Sequence, residues 1–353
     1  MDRSNNKNRS RPRSRKRILL IVAAIILGLV LAALLVSIIG VNVILSGLQR
    51  PEEQVPTMSR EELENFLQEE MDVPADFSGP VLDAQDVTLP QAEVVVEDDD
   101  NVFSIMLLGV DNFSKQYRSR TDSMILCTVN RSAKTLTMTS FMRDTYVYIP
   151  EFYNQRLNVA YPVGGFETLY DTLEYNFGIR VDKGVAVNFT SFKEVIDAIG
   201  GVDIELTGTE AGHMNAVHGW WLQKGMNHLT GEQALIYSRI RSIDSDYNRT
   251  NRQRKVMSAI IEKAKTLSVM ELYRMVSVLI PMVTTDMTNE EILDAALRLA
   301  PILKDLKVIT QRIPVDDGHT MTMIDGMSVL VPDLEVNSKY LADTLGSGEK
   351  ADE

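Results

Sequence analysis

The run SIMLLGV (Ser104–Val110) is apolar on both of its alternating faces, and it decides the expected fold. A strand of this kind is typical of a sheet that is covered on both sides. Two more strand-like runs follow, SMILCTV (Ser123–Val129) and TLTMTSF (Thr135–Phe141). The segment NRSAK between them is short enough for a hairpin. The sequence therefore predicts a buried strand followed by two paired strands.

Downstream, helical and extended patterns alternate. Apolar residues from Phe166 to Phe177 follow helical spacing, and Gly178 is a natural stop. VAVNF is then a candidate strand, SFKEVIDAIGG a helix opened by Ser191, and VDIEL a further strand. Towards the end of the chain, NEEILDAALRLAPIL predicts an amphipathic helix, and KVITQRIPV and GMSVLVP predict strands. This interleaving favours a single α/β domain.

The segment LTGEQALIYSRIR contains two closely spaced arginines. If ALIYSRIR is a strand, Tyr237, Arg239 and Arg241 point to the same side. Two like charges on one strand face repel unless an anion lies between them. Anion recognition and ordinary surface placement remain equally open for this pair.

A basic helix follows in NRTNRQRKVMSAIIEKAKTL. Arg249, Arg252 and Gln253 are three and four residues apart, so they project from one face near the helix start. Unpaired N–H groups and the helix dipole favour an anion at this end. The planar fork of arginine suits phosphate oxygens.

Two acids and two further arginines lie at strand edges: Asp111, Asp122, Arg120 and Arg143. Magnesium binds with one or two carboxylates and completes its coordination with phosphate and water. The acids are therefore candidate metal ligands, and the alternative is that each caps a turn or pairs with an arginine. The arginines are equally candidates for surface positions or ion pairs, such as one between Arg143 and Asp144.

The first hundred residues predict a membrane anchor and a spacer. Residues 1–17 carry eight Lys or Arg and one acid, and residues 18–45 carry no charge. A helix of that length reaches roughly 42 Å, and the hydrocarbon layer needs roughly 30 Å. A cleaved signal peptide is the competing interpretation, but its apolar core usually has only about 7–15 residues. The basic flank predicts a cytoplasmic N-terminus, a single pass through the cell membrane and an extracytoplasmic domain.

Composition limits the partners of that outer domain. The chain has 353 residues, 44% of them hydrophobic, and a formal net charge of -13. Residues 51–100 contain sixteen acids and one base, which is typical of a spacer. Residues 101–353 carry 26 Lys or Arg against 32 Asp or Glu, so we expect no nucleic-acid binding. The single cysteine, Cys127, excludes an intramolecular disulfide.

The motifs together resemble the LytR-CpsA-Psr family of membrane-anchored enzymes that attach glycopolymers to the bacterial cell wall. The resemblance is strongest over roughly residues 102–265. It is carried, in order, by GVD, RTDSMILCTVN, SFMRDTYVYIP, LNVAYPVGG, VNFTSFKEVIDAIGGVDIEL, LTGEQALIYSRIR and DYNRTNRQR.

The resemblance implies an α/β domain with a central mixed sheet, flanking helices and an apolar cavity for a prenyl chain. It implies transfer of a phosphoglycopolymer, of wall teichoic acid or capsular polysaccharide type, from undecaprenyl pyrophosphate to a peptidoglycan sugar hydroxyl. Mg²⁺, or alternatively Mn²⁺, would be held by Asp111 and Asp122. The implied catalytic residues are Asp111, Asp122, Arg143, Arg239 and Arg241, and the implied substrate-binding residues are Arg120, Arg249, Arg252 and Gln253.

Two departures from the family pattern concern this site. Met142 replaces the usual proline before Arg143, and residues 112–117 lack the arginine that often follows soon after the first acid; the next arginine is Arg118. Asp111 is also the preferred candidate to take the proton of the acceptor hydroxyl. A prenyl-pyrophosphate hydrolase and a non-enzymatic envelope-binding or regulatory protein remain alternative functions.

The expected organisation has five parts. They are a cytoplasmic tail (1–17), a transmembrane helix (18–45), an acidic linker (46–101), the catalytic domain (102–340) and a disordered tail (341–353).

Overall fold

The computed structural model describes residues 46–47, 79–93, 99–110, 121–268, 270–272, 280 and 283–347. The chain divides into two units, Met1–Gly47 and Leu48–Glu353. Of the first unit only two residues, Ser46 and Gly47, are described, and they form a turn. The predicted tail and transmembrane segment therefore lie outside the described residues. Among the helices that the structure describes, none has the length and apolar character to cross a membrane.

Strands and helices alternate along the second unit, which confirms the α/β class. The strands are β1 (Val81–Leu82), β2 (Val102–Val110), β3 (Thr121–Asn130), β4 (Thr135–Phe141), β5 (Tyr146–Tyr148), β6 (Asn154–Arg156), β7 (Lys183–Asn188), β8 (Val202–Leu206), β9 (Gly225–Leu229), β10 (Val283–Thr285), β11 (Lys307–Ile313), β12 (His319–Ile324) and β13 (Met327–Pro332). The helices are α1 (Ala160–Phe177), α2 (Phe189–Ala198), α3 (Gly208–His218), α4 (Gly231–Arg239), α5 (Asp246–Thr266), α6 (Asn289–Leu299) and α7 (Leu334–Ser347).

A mixed sheet forms the centre of this unit. Counted over the described residues it has six strands, in the order β10-β7-β2-β3-β4-β11. Strands β2, β3 and β4 are antiparallel neighbours, whereas β7 runs parallel to β2 and β11 runs parallel to β4. The predicted buried strand lies in β2, and the predicted hairpin joins β3 to β4.

Both faces of the sheet are covered, which explains why β2 is apolar on both sides. On one face, Met106 and Leu108 belong to a buried cluster that includes Leu169 of α1. On the other face, Leu107 packs in a second cluster that includes Met257 of α5. Burying one such side chain contributes roughly 1.5–3 kcal/mol. The helices α1 and α5 therefore hold the sheet from opposite sides.

The predicted helix after Gly165 is confirmed, but it begins earlier, at Ala160, with a non-helical residue at Gly165. It ends as predicted, because Gly178 takes a left-handed conformation with φ 65°. The start of α2 differs by three residues from the prediction. Its N-cap is Asn188, whose Oδ1 accepts from the Ser191 backbone N–H at 2.9 Å, so Ser191 lies inside the helix.

The prediction of a strand at ALIYSRIR is wrong, because these residues belong to α4 and the turn after it. Thr230 and Gln233 form a capping box, in which the Thr230 Oγ1 accepts from the Gln233 backbone N–H at 3.3 Å and Gln233 Oε1 accepts from the Thr230 backbone N–H at 3.0 Å. The sequence signal for it, a threonine followed three residues later by glutamine, was present in TGEQ. Arg239 is therefore the last residue of a helix rather than part of a strand.

Both predicted ends of the catalytic domain also need correction. In the predicted linker, β1 pairs with β12, and Val87 and Leu89 are buried. At the other end, α7 continues through Ser347, beyond the predicted start of a disordered tail at residue 341. The side chains of Leu341 and Leu345 lie in the core, which gives this helix a reason to continue.

Gly231, the first residue of α4, lies against the backbone of α2, and its substitution is expected to destabilise the fold. A Cβ at Gly231 would lie 2.1 Å from the Lys193 carbonyl O. Because backbone has to move, we expect Gly231→Ala to lower the free energy of unfolding by about 1–3 kcal/mol, measured by urea denaturation. Gly208 is the matched control, since it follows the capping threonine of α3 and a methyl group added there would lie more than 4 Å from atoms other than those of its chain neighbours and the adjacent helix backbone. An equal loss in Gly208→Ala would contradict the packing argument.

Candidate functional site

A cavity of about 510 Å³ lies between the central sheet and helices α2, α4 and α5. Its size falls in the range usual for small-molecule sites, about 300–1,000 Å³. The lining consists of Leu107, Leu108, Gly109, Asp122, Ser123, Ile125, Val185, Val187, Asn188, Phe192, Val195, Leu235, Ser238, Arg239, Arg241, Arg249, Gln253, Met257 and Ile260.

Most of this lining is aliphatic or aromatic, and its origin is visible in the sequence. Val185 and Val187 alternate along β7 and face the same side. Gln253, Met257 and Ile260 are spaced by four and three residues, so they share one face of α5. An apolar cavity, as the family resemblance implies, is therefore present in the domain.

Asp122 supplies a carboxylate to the polar part of the lining. Its Oδ1 accepts from Arg143 Nη1 at 3.2 Å and from Arg241 Nη2 at 3.4 Å. Within the described part of the chain, no partner is found for its Oδ2. Asp122 thus brings together arginines from two distant segments and keeps one oxygen available.

Arg249 is the most deeply buried of the charged groups that line the cavity. Arg249 is only 2% exposed, and its Nη2 donates a hydrogen bond to Asp246 Oδ2 at 2.9 Å. Its Nε and Nη1 are buried and have no hydrogen-bond partner among the described residues. Burial, together with the positive charges of Arg143 and Arg241, lowers the pKa of Arg249 to about 10 against the opposing effect of Asp246. The group remains a cation at neutral pH with two donors to spare.

Asp246 belongs to the same charged group, although the predicted site did not include it. Burial raises its pKa, and the charges of Arg249 and Arg143 act in the opposite direction. The available signal was its position three residues before Arg249 at a helix start. Asp246 orients Arg249 by accepting a hydrogen bond from its Nη2. The Nε and Nη1 donors of Arg249 form no hydrogen bond with Asp246.

Arg239 and Arg241 both line the cavity, although not for the predicted reason. Helix α4 ends at Arg239, and Ile240 leaves the helix with φ -59° and ψ 124°. Arg241 follows in the connection to α5, where its side chain is 49% exposed. Gln253, from the first half of α5, completes the polar lining.

Arg252 does not line the cavity, which corrects the prediction that it binds the substrate there. Its side chain is 3% exposed; Nε donates to Glu210 at 2.8 Å, Nη1 donates to the Ile240 carbonyl at 3.0 Å, and the guanidinium also pairs with Asp244. Successive helical residues differ by about 100° in direction, so Arg252 and Gln253 face different neighbours. Arg252 ties α5 to α3 and to the turn that carries Arg241.

A supporting ion-pair chain lies behind Arg143. Asp144 is 3.5 Å from Arg143 Nε and 3.7 Å from Arg156 Nε. Arg156 is buried in β6 and donates to the Ser328 carbonyl at 2.8 Å. The ion pair between Arg143 and Asp144, which was one of the alternatives for Arg143, is therefore present. The sequence analysis did not identify Arg156, because nothing in the segment NQR indicates that its arginine contacts Ser328, far along the chain.

Two predicted site residues, Asp111 and Arg120, lie outside the described residues. Among the residues that are described, no cluster of three or more His, Cys, Asp or Glu side chains is placed to hold a metal ion. Asp122 alone offers a free carboxylate oxygen beside the cavity within this part of the chain. The pairing of Asp111 with Asp122 around a metal stays a prediction.

The cavity combines an apolar body with guanidinium groups and a carboxylate at one part of its wall. Such a lining suits an amphiphile, because the body excludes water from a hydrocarbon chain and the arginines neutralise an anionic head group. Fold and lining together define an α/β domain for an anionic, lipid-like ligand.

Comparison with known proteins identifies the family. The sequence profile of the LytR_cpsA_psr family matches residues 76–343, so this chain belongs to the LytR_cpsA_psr family. It is 34% identical over 222 residues to the polyisoprenyl-teichoic acid–peptidoglycan teichoic acid transferase TagU of Bacillus anthracis, covering 61% of this chain and 70% of that protein. It is 38% identical over 178 residues to the transferase TagT of Bacillus subtilis, covering 48% of this chain and 55% of that protein.

Solved structures share the fold. The crystal structure of B. subtilis TagT aligns with a TM-score of 0.57 and 30% identity, covering 74% of this chain and all of the other. A structure of TagT with bound octaprenyl pyrophosphate lipid aligns with a TM-score of 0.53 and 28% identity, covering 74% of this chain and 99% of the other. A structure described as TagT bound to LIIa-WTA aligns with a TM-score of 0.58 and 29% identity, covering 75% of this chain and 99% of the other.

Proposed function

We propose that this protein transfers a phosphoglycopolymer, of wall teichoic acid or capsular polysaccharide type, from undecaprenyl pyrophosphate to a sugar hydroxyl of peptidoglycan. The observation that carries the proposal is the buried Arg249, whose Nε and Nη1 have no partner among the described residues at the wall of an apolar cavity. A lipid diphosphate satisfies both features at once. The names of the related transferases and the lipid bound in a TagT structure support the same chemistry.

In the proposed reaction the acceptor oxygen attacks the phosphorus that carries the glycan. The bond from this phosphorus to the bridging oxygen breaks, and undecaprenyl phosphate leaves with the bond electrons. Arg239, Arg241 and Arg249 neutralise the charge on the phosphate oxygens, which is the main catalytic contribution in phosphoryl transfer. The hydroxyl proton passes to a carboxylate, for which Asp111 is the proposed acceptor.

The proposal includes Mg²⁺, with Mn²⁺ as an alternative, held by Asp122 together with Asp111. The free Oδ2 of Asp122 fits a hard cation that takes one or two carboxylates and shares the rest of its coordination with phosphate. Bound there, the metal would supply further neutralisation of the diphosphate.

The proposed setting is the outer face of the cell membrane, with the N-terminus in the cytoplasm. The basic residues 1–17 followed by the uncharged residues 18–45 support this orientation. In that setting the lipid carrier and peptidoglycan are both accessible to the domain.

Transfer is tested with the full chain in detergent micelles, a prenyl-pyrophosphate-linked oligosaccharide and peptidoglycan fragments. We expect a glycan–phosphate–peptidoglycan conjugate and an equal amount of prenyl phosphate, both measured by mass spectrometry. Free phosphorylated glycan formed equally with and without acceptor would instead identify a hydrolase. Carrier binding without turnover, unchanged in Asp122→Asn, would identify a binding or regulatory protein.

The proposed metal role predicts a specific defect in Asp122→Asn. The amide keeps a neutral oxygen but removes the charge, so we expect the Mg²⁺ concentration for half-maximal transfer to rise about 10- to 100-fold. Asp294→Asn is the control, because Asp294 is an exposed carboxylate that pairs with Arg298 on α6. An unchanged Mg²⁺ requirement in Asp122→Asn, or full transfer in EDTA, would contradict the metal proposal.

A further inference from the structure

A second cavity, of about 690 Å³, lies along a different face of α5. Gln253 and Met257 face the first cavity, whereas Arg254 and Ser258, one residue further along in each case, face the second. The strand β8 forms an opposing wall, and Thr310 of β11 contributes a hydroxyl. The proposed transfer reaction uses none of these groups.

Arg254 is the unusual group in this second cavity. The residue is only 8% exposed, and its Nε and Nη1 are buried without a hydrogen-bond partner among the described residues. Within the same part of the chain, no carboxylate pairs with it. Burial and, to a smaller extent, the nearby positive charge of Arg312 lower the pKa of Arg254 to about 10. Arg254 is thus a buried cation at neutral pH whose charge is uncompensated by the described fold.

The carboxylates around this cavity are mostly engaged elsewhere. Asp203 is 2.7 Å from His228 Nδ1, and Glu262 accepts from Lys265 at 2.5 Å. The third, Glu205, is exposed. Positive charge and hydroxyl groups remain available beside Arg254, from Lys255, Lys263, Ser258 and Thr310. The cavity therefore offers guanidinium and ammonium donors that form no ion pair with a carboxylate among the described residues.

Arg252 gives an internal comparison, because it lies two residues earlier on the same helix and is also buried. Its guanidinium pairs with Glu210 and Asp244. Where this fold buries an arginine for structural purposes, it thus supplies carboxylates. The absence of an equivalent acid at Arg254, within the described residues, indicates that its counter-charge comes from a ligand.

We propose that the second cavity is an anion site, in which Arg254 binds a phosphate-type oxyanion with help from the neighbouring lysine and hydroxyl groups. The site is separate from the cavity assigned to the diphosphate and goes beyond the proposed transfer. Its ligand is either free phosphate or a phosphodiester of a glycopolymer, which present the same oxygens to the guanidinium.

The test measures binding of radiolabelled inorganic phosphate to the full chain by equilibrium dialysis in detergent micelles. We expect Arg254→Met to lose one equivalent of bound phosphate that both Arg241→Met and Arg298→Met retain. Arg241→Met controls for phosphate held in the first cavity, and Arg298→Met controls for the loss of an exposed arginine. Wild-type stoichiometry and affinity in Arg254→Met would overturn the proposal.

Thermal unfolding separates a binding defect from a folding defect. In phosphate-free buffer we expect Arg254→Met to melt at or above the wild-type temperature, because an unpaired buried charge is removed. Added phosphate should raise the wild-type melting temperature more than that of the variant. A variant that melts lower without phosphate and gains the same increment from it would show that Arg254 is structural.

Competition with glycerophosphoglycerol distinguishes the two ligand sources. Displacement of the Arg254-dependent phosphate by this diester assigns the site to a polymer phosphodiester, and retention assigns it to free phosphate. None of these measurements uses transfer, so a failure here leaves the proposed transferase reaction untouched.

Discussion

Arg241→Met is expected to lower the rate of glycopolymer transfer by about 100- to 1,000-fold while the domain stays folded. Arg241 reaches the first cavity from the turn after α4, and its Nη2 is 3.4 Å from Asp122. Methionine keeps the aliphatic stem and removes the charged donors that neutralise the diphosphate. Since the side chain is 49% exposed, its loss should change the free energy of unfolding by no more than about 0.5 kcal/mol.

Arg298→Met is the matched control for this loss. Arg298 is 52% exposed and also pairs with one aspartate, Asp294, but it lies on α6 and does not line the cavity. Transfer should be unchanged in this variant. The transfer rate of both variants is measured as conjugate formation at saturating concentrations of Mg²⁺ and of the lipid-linked oligosaccharide. A wild-type transfer rate in Arg241→Met would contradict the assignment of the first cavity as the diphosphate site, whatever the rate in Arg298→Met.

The main architecture could be predicted because local pattern and tertiary environment agree. The run in β2 is apolar on both faces, and the structure covers it with α1 on one side and α5 on the other. The helix stop at Gly178 needed only a left-handed residue, which glycine provides. In such segments a single physical requirement dominates the choice of residues.

The error at α4 arose where two patterns compete. ALIYSRIR can be interpreted as a short strand that presents Tyr237, Arg239 and Arg241 on one side. In the structure Ala234 and Tyr237, three residues apart as on one face of a helix, lie in the core instead. The capping box at Thr230 decides between these possibilities, because it fixes the first turn of a helix. An eight-residue pattern was too short to predict a strand reliably against the helix-start signal at Thr230.

Site residues were predictable as a group but not one by one. The sequence shows that Arg249 and Arg252 lie near the start of one helix, and it cannot show which carboxylates other elements bring towards them. Glu210 of α3 reaches Arg252, whereas the free donors of Arg249 stay at the cavity wall. The division into a structural arginine and a ligand-binding arginine is thus a property of tertiary packing.

The same packing predicts a large loss of stability in Arg252→Met. The substitution would leave Glu210 buried and Asp244 partly buried without their guanidinium partner. Breaking a buried ion pair from one side costs about 3–5 kcal/mol. We therefore expect the free energy of unfolding of the full chain, measured by urea denaturation in micelles, to fall by that amount. Arg254→Met, two residues along α5, is the matched control and should show no such loss.

The pH dependence of this loss separates the lost ion pair from lost packing. Burial raises the pKa of Glu210, but hydrogen bonds from Thr207 and Arg252 outweigh it and lower the pKa from its usual 4.5. A lowered folded-state pKa stabilises the protein at neutral pH, and this contribution disappears as the pH falls through the folded value. In Arg252→Met, protonation of Glu210 instead neutralises a buried carboxylate that has lost its cationic partner. The stability difference between wild type and variant should therefore narrow between about pH 7 and pH 3, and a difference that stays constant over this range would assign the loss to packing alone.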